Sequence, residues 1–400
     1  MNEGSVTRPS NPRSLAVTFT FTFPVQIPLL DLKPATAELR AELDAAYRRV
    51  MDSGWFLLGP ELEAFENEYA ATVGVKHCVG VANGLEAMQL ILMAQGIGRD
   101  DEVIVPSNGY IATWLAVTHA GATPVPCEPD PVTFNLDPAR LAACITPRTR
   151  AVLPIHLYGH PANMGEINAI AGAHGLRVIE DAAQSHGARC RTPTRAGVLW
   201  GEAGALGHAA GVSFYPSKNL GALADAGAVT TDDGPLAEKI RVLRNYGTKE
   251  RYRNEVAGHN SRLSELQAAF LRVKLRHLPE WNARRRALAA VYLTQLKDVP
   301  GVVLPTVAPW AEPVWHLFVV RAERRAALRD HLTAAGIGSQ VHYPTPPHLS
   351  GAYQAAGWRR GAFPIAEALA EDVLSLPMSP HHSIAEIEKV CSVIRQFYAA

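Results

Sequence analysis

One lysine and one carboxylate each follow an apolar stretch of the chain. Lys218 lies in residues 211–221 (GVSFYPSKNLG), where a lone loop lysine is usually just a solvated side chain. Asp181 lies in residues 177–187 (RVIEDAAQSHG), where a carboxylate can also merely cap the next helix. Together they supply what pyridoxal 5'-phosphate (PLP) requires, an amine for its aldehyde and a carboxylate that keeps its pyridinium nitrogen protonated. Lys218 would also move the substrate proton, for which burial and nearby positive charge should lower its pKa.

A phosphate group also needs a binding site, and residues 79–87 (VGVANGLEA) have the pattern of a strand, a tight Asn-Gly turn and a helix start. The backbone N–H groups and the positive end of such a helix bind anions, although the same pattern fits an ordinary turn between a strand and a helix. Ser213 could add a hydroxyl group from the neighbouring loop. Tyr110, in residues 106–113 (PSNGYIAT), could stack on the cofactor ring or simply pack against the protein.

A larger fold must position these residues, and alternating helical and strand patterns begin at Ile27. An amphipathic helix is predicted at 35–51, ended by Gly54, and a second at 60–71 begins with proline. Short apolar segments predicted as strands follow at 77–82, 102–106, 123–127, 151–156, 177–180, 211–215 and 226–231. This rhythm predicts an α/β fold with an open, mostly parallel sheet between helices, in which ligands bind beyond the carboxyl ends of the strands. After a long charged helix at about 262–297, the chain changes to a smaller α+β C-terminal region.

The composition excludes several classes of protein. With 400 residues, the chain is long enough for two domains around one site. Lys plus Arg equals Asp plus Glu at 38 each, without a run of like charge, so neither nucleic acid nor a membrane is an expected partner. The five cysteines are odd in number and lack C-x-x-C spacing, which indicates reduced thiols and no metal site. Threonines and Pro24 interrupt the apolar stretch at 15–25, so we expect residues 1–26 to be a disordered extension of a cytoplasmic protein.

With these residues in place, the chain resembles the DegT/StrS-type PLP-dependent nucleotide-sugar aminotransferases, which have an aspartate-aminotransferase-like fold (PLP fold type I). The resemblance runs from Ile27 to the C-terminus. Its most specific strings are SGWFLLGP (53–60), EDAAQ (180–184), SFYPSKN (213–219), RNYG (244–247) and NSRLSELQ (260–267). It implies a large PLP-binding domain at 27–275 and a small C-terminal domain at 276–400. Two features depart from the family: many relatives have glycine where Ser217 stands, and residues 191–208 are longer than the expected compact hairpin.

The resemblance also implies a role for each candidate cofactor residue. Lys218 would be the Schiff-base lysine, Asp181 would pair with the ring nitrogen, and Gln184 would contact the ring oxygen. Tyr110 would stack on the ring. The residues that would hold the phosphate are Gly84, Leu85, Ser213 and, from the partner subunit, Asn260. The enzyme is therefore expected to be a homodimer with shared active sites.

Within the family, four strings look most like the branch that aminates dTDP-3-keto-6-deoxyhexoses at C3: YIATWLA (110–116), PIHLYG (154–159), WHLFVV (315–320) and VHYP (341–344). The expected reaction takes the amino group from L-glutamate, leaves pyridoxamine 5'-phosphate, and then aminates the ketone of the nucleotide sugar. The candidate substrate contacts are His186, His316, His342 and Tyr343. The alternative is that His156, His316 and His342 are partly buried histidines with satisfied hydrogen bonds.

Other functions remain open within this fold. A C4 aminotransferase acting on a dTDP- or UDP-4-keto-6-deoxyhexose is the nearest alternative. A regulatory protein that keeps the fold without turnover is a second. A sugar dehydratase of this fold would have histidine where Lys218 stands, so the lysine at this position makes that activity the least expected.

Overall fold

The structure is a computed structural model that describes residues 25–194, 197–250 and 252–399. The predicted N-terminal extension at 1–26 lies outside the described residues except for its last two.

The strands are β1 (His77–Val81), β2 (Glu102–Pro106), β3 (Thr123–Cys127), β4 (Thr149–Val152), β5 (Arg177–Asp181), β6 (Arg189–Thr194), β7 (Gly197–Glu202), β8 (Ala209–Ser213), β9 (Gly227–Thr231), β10 (Thr248–Glu250), β11 (Arg253–Asn254), β12 (Val302–Val303), β13 (Ala311–Glu312), β14 (Phe318–Ala322) and β15 (Val373–Leu376). The α-helices are α1 (Lys33–Glu38), α2 (Arg40–Ser53), α3 (Pro60–Val73), α4 (Gly84–Ala94), α5 (Ala112–His119), α6 (Pro138–Leu141), α7 (Met164–Ala173), α8 (Gly234–Leu243), α9 (Glu265–Leu275), α10 (Leu278–Gln295), α11 (Arg325–Ala334), α12 (Pro364–Asp372) and α13 (Ile384–Ala399).

A seven-stranded sheet forms the centre of the molecule, in the order β1-β9-β8-β5-β4-β2-β3. Strand β9 runs antiparallel to both of its neighbours, and the other pairs are parallel. The predicted α/β fold with a mostly parallel sheet is therefore confirmed. The strand predicted at 151–156 instead ends at Val152, before Pro154, which has no N–H group to donate to a strand pair.

Helices cover both faces of this sheet. Successive residues of a strand point to opposite sides, so apolar residues on both sides of each strand need a helix layer to bury them. On β5, Ile179 belongs to the buried apolar cluster that contains Trp114 of α5. Its neighbour Val178 belongs to a different cluster, which contains Ile167 of α7. The same alternation decides which side chains at the end of β5 face each helix layer.

Two predicted helices are interrupted. The helix predicted at 35–51 is divided at Leu39 into α1 and α2, and it ends as expected at Gly54, which has a φ of 63°. The long helix predicted at about 262–297 is also wrong as one element, since α9 ends at Leu275 and α10 begins at Leu278. Pro279 lies in the first turn of α10, where a residue without an N–H group is tolerated, although it would break the middle of a helix.

The C-terminal part forms a separate three-stranded sheet in the order β12-β14-β15, with antiparallel pairing. Its core includes Tyr292 and Phe318, whose rings stack with their centroids 4.4 Å apart. The first described residues join this part of the molecule, because Ile27 packs in the same core and pairs with Ile337. Both ends of the described chain therefore contribute to the apolar core of this part, since residues of α13 belong to the same cluster as Ile27.

Residues 191–208, whose conformation the sequence does not predict, contain most of a hairpin formed by β6 and β7, and β13 pairs with β6. All five cysteines are free thiols. Within the described ranges, no helix is both long and apolar enough to span a bilayer. The same residues contain no cluster of three or more His, Cys, Asp or Glu side chains suited to a metal ion.

Candidate active site

Lys218 lies on the loop that follows β8, at the edge of the sheet where the carboxyl ends of the parallel strands meet. Its backbone N–H donates to the carbonyl of Tyr215 at 2.8 Å, which closes a tight turn around the lysine. Burial lowers the pKa of the Lys218 amine to about 8, while the negative charge of Asp181 acts in the opposite direction. A larger fraction of the amine is therefore neutral and nucleophilic near pH 8 than in an exposed lysine.

Asp181 is the last residue of β5 and is almost fully buried. The hydroxyl of Thr113 donates to its Oδ2 at 2.6 Å, and the backbone N–H of Ala183 donates to its Oδ1 at 3.1 Å. These bonds fix the orientation of the carboxylate. Thr113 was not among the site residues predicted from the sequence, although it stands three positions after Tyr110 in the string YIATWLA (110–116).

Glu180 precedes Asp181 but points to the other side of the sheet. It accepts hydrogen bonds from the backbone N–H groups of Gly204, Leu206 and Gly207, at 2.7 to 2.8 Å. The ring of His156 is 2.8 Å from the same carboxylate, and its Nδ1 accepts from a backbone N–H, so Nε2 carries the proton that Glu180 accepts. His156 is therefore a buried histidine with satisfied hydrogen bonds, as one of the two sequence interpretations proposed.

The phosphate site predicted at 79–87 has the expected strand, turn and helix start. Asn83 caps α4, since its side chain accepts from the N–H of Glu86 at 2.9 Å. The N–H groups of Gly84 and Leu85, at the positive end of this helix, have no earlier helical turn to bond. A Cβ atom on Gly84 would lie 2.6 Å from the Cβ of Ser213, so only glycine allows this close approach of the two loops.

Gln184, Tyr343 and Tyr110 form a connected group beside the strand ends. The side-chain amide of Gln184 donates from Nε2 to the Tyr343 hydroxyl at 3.1 Å, and its Oε1 accepts from the backbone N–H of Tyr158 at 2.5 Å. The rings of Tyr110 and Tyr343 are 5.2 Å apart, and the Tyr158 hydroxyl donates to the carbonyl of His342. The backbone N–H of Tyr158 therefore fixes which end of the Gln184 amide is the acceptor, and the other end, Nε2, donates toward Tyr343.

Three histidines lie close enough to Lys218 for its charge to affect them. Burial, and secondly the positive charge of Lys218, lower the pKa of His186 to about 3, that of His342 to about 4 and that of His316 well below its usual range. His316 contacts the side chain of Asn219 at 3.1 Å, and His342 contacts Ser375 at 2.8 Å. All three are therefore neutral around Lys218 at neutral pH, and their predicted contact with substrate stays a prediction.

Within the described residues of one chain, Asn260 has no recorded hydrogen bond to another candidate residue, although its neighbour Ser261 accepts from the backbone N–H of Ala82 at 3.2 Å. Asn260 is exposed and pairs through its backbone with Asn245. Its predicted contact with the phosphate would require a second copy of the chain, and that role stays a prediction.

Known proteins resemble this chain in sequence and in fold. The profile of the DegT/DnrJ/EryC1/StrS aminotransferase family matches residues 37–395. The erythromycin biosynthesis sensory transduction protein EryC1 of Saccharopolyspora erythraea is 55% identical, over 93% of this chain and 99% of its own. The dTDP-3-amino-3,4,6-trideoxy-alpha-D-glucose transaminase of Streptomyces venezuelae is 54% identical, over 93% of this chain and 96% of its own. The crystal structure of S. venezuelae DesV in complex with a ketimine intermediate has a TM-score of 0.91 and 53% identity, covering 94% of this chain and 100% of that one.

Proposed function

Because the chain belongs to the DegT/DnrJ/EryC1/StrS aminotransferase family, we propose that it transfers the amino group of L-glutamate to C3 of a dTDP-3-keto-6-deoxyhexose. The observation that carries the proposal is the partly buried Lys218, whose amine lies within electrostatic range of the Asp181 carboxylate that Thr113 holds in place. The choice of sugar is supported by the 54% identical relative that is named for a dTDP-3-amino sugar.

The residues at the site fit PLP. The approach of Gly84 to Ser213 leaves the first N–H groups of α4 available to a phosphate, and Gln184 offers an amide donor next to the Tyr343 hydroxyl. When bound, PLP would supply an electron sink for carbon–nitrogen exchange and would alternate with pyridoxamine 5'-phosphate between the two halves of the reaction. Lys218 and Asp181 complete the set of groups that such a cofactor needs.

Each side chain has a distinct task in this proposal. Lys218 would hold the aldehyde carbon covalently through Nζ and, once released, would move a proton with the same amine. Asp181 would accept a hydrogen bond from the protonated ring nitrogen, and Gln184 Nε2 would donate to the ring oxygen. Tyr110 would cover one face of the ring. The backbone of Gly84 and Leu85 and the hydroxyl of Ser213 would bind the phosphate.

The proposal includes a homodimer in which the active sites are shared. The four consecutive apolar residues from Trp55 to Leu58 are all exposed, with Trp55 57% accessible. An uninterrupted apolar surface of this kind is typical of an interaction surface. The backbone of Leu57 pairs with that of Ser264, and Ser264 follows closely after Asn260 in the sequence. This surface therefore lies near Asn260, which would reach the phosphate of the second copy.

The first experiment tests the cofactor. Purified protein reconstituted with PLP should show a visible absorption band, and Lys218→Ala should abolish it. The matched control is Lys274→Met, because burial also lowers the pKa of Lys274 to about 8, yet its Nζ donates to the carbonyl of Gly221 at 2.6 Å. A wild-type protein that remains colourless with PLP would contradict the proposal.

The second experiment tests the position of amination. The reconstituted enzyme is incubated with L-glutamate and either dTDP-3-keto- or dTDP-4-keto-6-deoxyglucose, and NMR identifies the aminated carbon. We expect amination at C3. Amination at C4 alone would establish the alternative regiochemistry, whereas binding of PLP without transfer to either sugar would favour a regulatory role such as the name of the 55% identical relative describes.

A further inference from the structure

Two of the five cysteines lie side by side at the outer strand of the seven-stranded sheet. Cys127 is the last residue of β3 and is buried, whereas Cys144 ends a short 3-10 helix, Ala142–Cys144, and is partly exposed. The Cys144 sulfur lies 3.9 Å from the carbonyl oxygen of Pro126, the residue before Cys127, and the two thiols hydrogen-bond to each other. Both pack in one apolar cluster with Leu141. We call Cys127 and Cys144 the thiol pair.

The two members of the thiol pair differ in the properties that decide which of them reacts first. The hydrogen bond with Cys127 lowers the pKa of Cys144 to about 7, against the opposite effect of burial. The same hydrogen bond, and then burial, hold the pKa of Cys127 well above its usual range. Because the thiolate is the nucleophile, oxidant-sensitive cysteines have a low pKa, are accessible and lie next to a second thiol. Cys144 has the character of the attacking thiolate, and Cys127 that of the resolving thiol.

The other three cysteines lack this combination. Cys78, Cys190 and Cys391 are all buried. Burial raises the pKa of Cys190 to about 11, that of Cys391 to about 12 and that of Cys78 well above its usual range. A buried thiol with a raised pKa is inert toward oxidants, so these three residues provide an internal comparison for the thiol pair.

We propose that Cys127 and Cys144 form a reversible disulfide within one chain when the protein meets hydrogen peroxide. The Cys144 thiolate attacks one peroxide oxygen, the O–O bond breaks and hydroxide leaves, which gives a sulfenic acid on Cys144. The Cys127 sulfur then attacks the Cys144 sulfur, so an S–S bond forms and the S–O bond breaks. The Cys127 proton leaves with that oxygen as water. Two electrons pass from the two thiols to the peroxide, and a dithiol reductant reverses the bond by exchange.

The segment 128–143 between the two cysteines packs against two loops of the candidate active site. Asn135 Oδ1 accepts from the backbone N–H of Leu157 at 2.9 Å, and the Phe134 carbonyl accepts from Nδ2 of Asn108 at 2.8 Å. Asn108 and Leu157 belong to the loops that follow β2 and β4. A disulfide at the ends of this segment therefore braces the part of the chain that supports these loops. It also restricts the unfolded chain, so oxidation should raise the midpoint temperature of unfolding.

The experiment counts thiols in the purified, fully reduced protein before and after treatment with hydrogen peroxide. The peroxide is removed, the protein is denatured, and its thiols are titrated. We expect the count to fall from five to three, and dithiothreitol should restore it. Peptide mapping without reductant should find Cys127 joined to Cys144, and the oxidised protein should unfold at a higher temperature than the reduced one. This test needs neither PLP nor a sugar, so its result is independent of the proposed function.

Two variants separate the two chemical steps. Cys144→Ser should keep all of its thiols, because the attacking thiolate is gone and Cys127 is buried. Cys127→Ser should accumulate a sulfenic acid on Cys144, which dimedone labels, because no resolving thiol remains. Cys391→Ala is the matched control: it removes a buried thiol outside the pair and should lose two thiols to peroxide, as wild type does.

Several results would overturn the inference. One is a wild type that keeps all five thiols, or that loses them irreversibly without a disulfide. Another is a link to a different cysteine or to a second chain, which the peptide map of wild type detects even if a variant fails to fold. Thiol loss in Cys144→Ser as fast as in wild type, or an oxidised protein that unfolds at a lower temperature than the reduced one, would also contradict it.

Discussion

Glu180 and Asp181 are neighbours at the end of β5, yet the two sides of the sheet use their carboxylates differently. Glu180 lies on the side of Val178 and α7, where three backbone N–H groups and His156 surround it. Asp181 lies on the side of α5, where Thr113 and Ala183 are its donors. A carboxylate can accept about four hydrogen bonds, so Glu180 is saturated by the protein while Asp181 keeps capacity for a ligand. The comparison teaches that spare hydrogen-bonding capacity, rather than burial, separates a binding carboxylate from a structural one.

The largest effect should come from Asp181→Asn. An amide cannot supply the negative charge that keeps the ring nitrogen protonated, so the glutamate half-reaction should slow on the order of 10³-fold. Stability should change by less than about 1 kcal/mol, because the amide oxygen can still accept from the Ala183 N–H while the Thr113 hydroxyl, which can also act as an acceptor, accepts from the amide nitrogen. Single-turnover kinetics and urea unfolding measure the two quantities. A loss of stability that matches the loss of rate would mean that Asp181 is structural, as Glu180 is.

Glu180→Gln should give the opposite result. The amide group replaces one acceptor oxygen and faces backbone N–H groups that it cannot accept from, so the free energy of unfolding should fall by about 3 kcal/mol. The rate of the half-reaction per folded molecule should remain that of wild type. Urea unfolding and active-site titration separate the two readouts. If the folded variant were inactive, the assignment of a purely structural role to Glu180 would be wrong.

The sequence predicted the end of β5 but not the difference in hydrogen bonding between its two carboxylates, Glu180 and Asp181. Apolar segments located the strand, and the string EDAAQ placed both acids at its end. The difference arises from residues far along the chain, since Gly204, Leu206 and Gly207 reach Glu180 only after a hairpin returns to the sheet. Local sequence patterns predict the strand and the residues at its end. The number of hydrogen bonds that each carboxylate accepts depends instead on loops that meet only in the folded state.

Arg285 shows the same limit in the smaller part of the molecule. Helical periodicity predicts one long helix around it, whereas its observed hydrogen bonds go to the carbonyls of Trp315, His316 and Met378, which lie further along the chain. Lys218, by contrast, was predictable, because its loop directly follows a strand and carries a string specific to the family. Positions within one strand-to-loop unit are therefore predictable from the sequence, whereas contacts between units are not.

Thr113→Val tests how far the Asp181 side depends on its orientation. Valine has the shape of threonine without the hydroxyl donor, and a hydrogen bond to a charged group contributes about 1.5 to 3 kcal/mol, so the half-reaction should slow by about 10-fold or somewhat more. The loss should appear in kcat, with KM for glutamate unchanged. Thr113→Ser should restore the rate. Thr118→Val, on the same helix, removes a hydroxyl that contacts Tyr353 and should leave the rate unchanged.

The smallest expected effect is on the amine of Lys218. Its pKa is about 8, and the charge of Asp181 raises it against the effect of burial. Below that pH the amine is protonated and cannot attack the PLP aldehyde, so the rate at which the visible band forms should fall about tenfold per pH unit. In Asp181→Asn the cation loses its attraction, and the midpoint should move to lower pH, by about one unit or less. Glu180→Gln should leave the midpoint where it is, because Glu180 does not contribute to the shift at Lys218. Equal midpoints in wild type and Asp181→Asn would show that the two charges do not interact across the site, and the carboxylates at the end of β5 would then differ in hydrogen bonding alone.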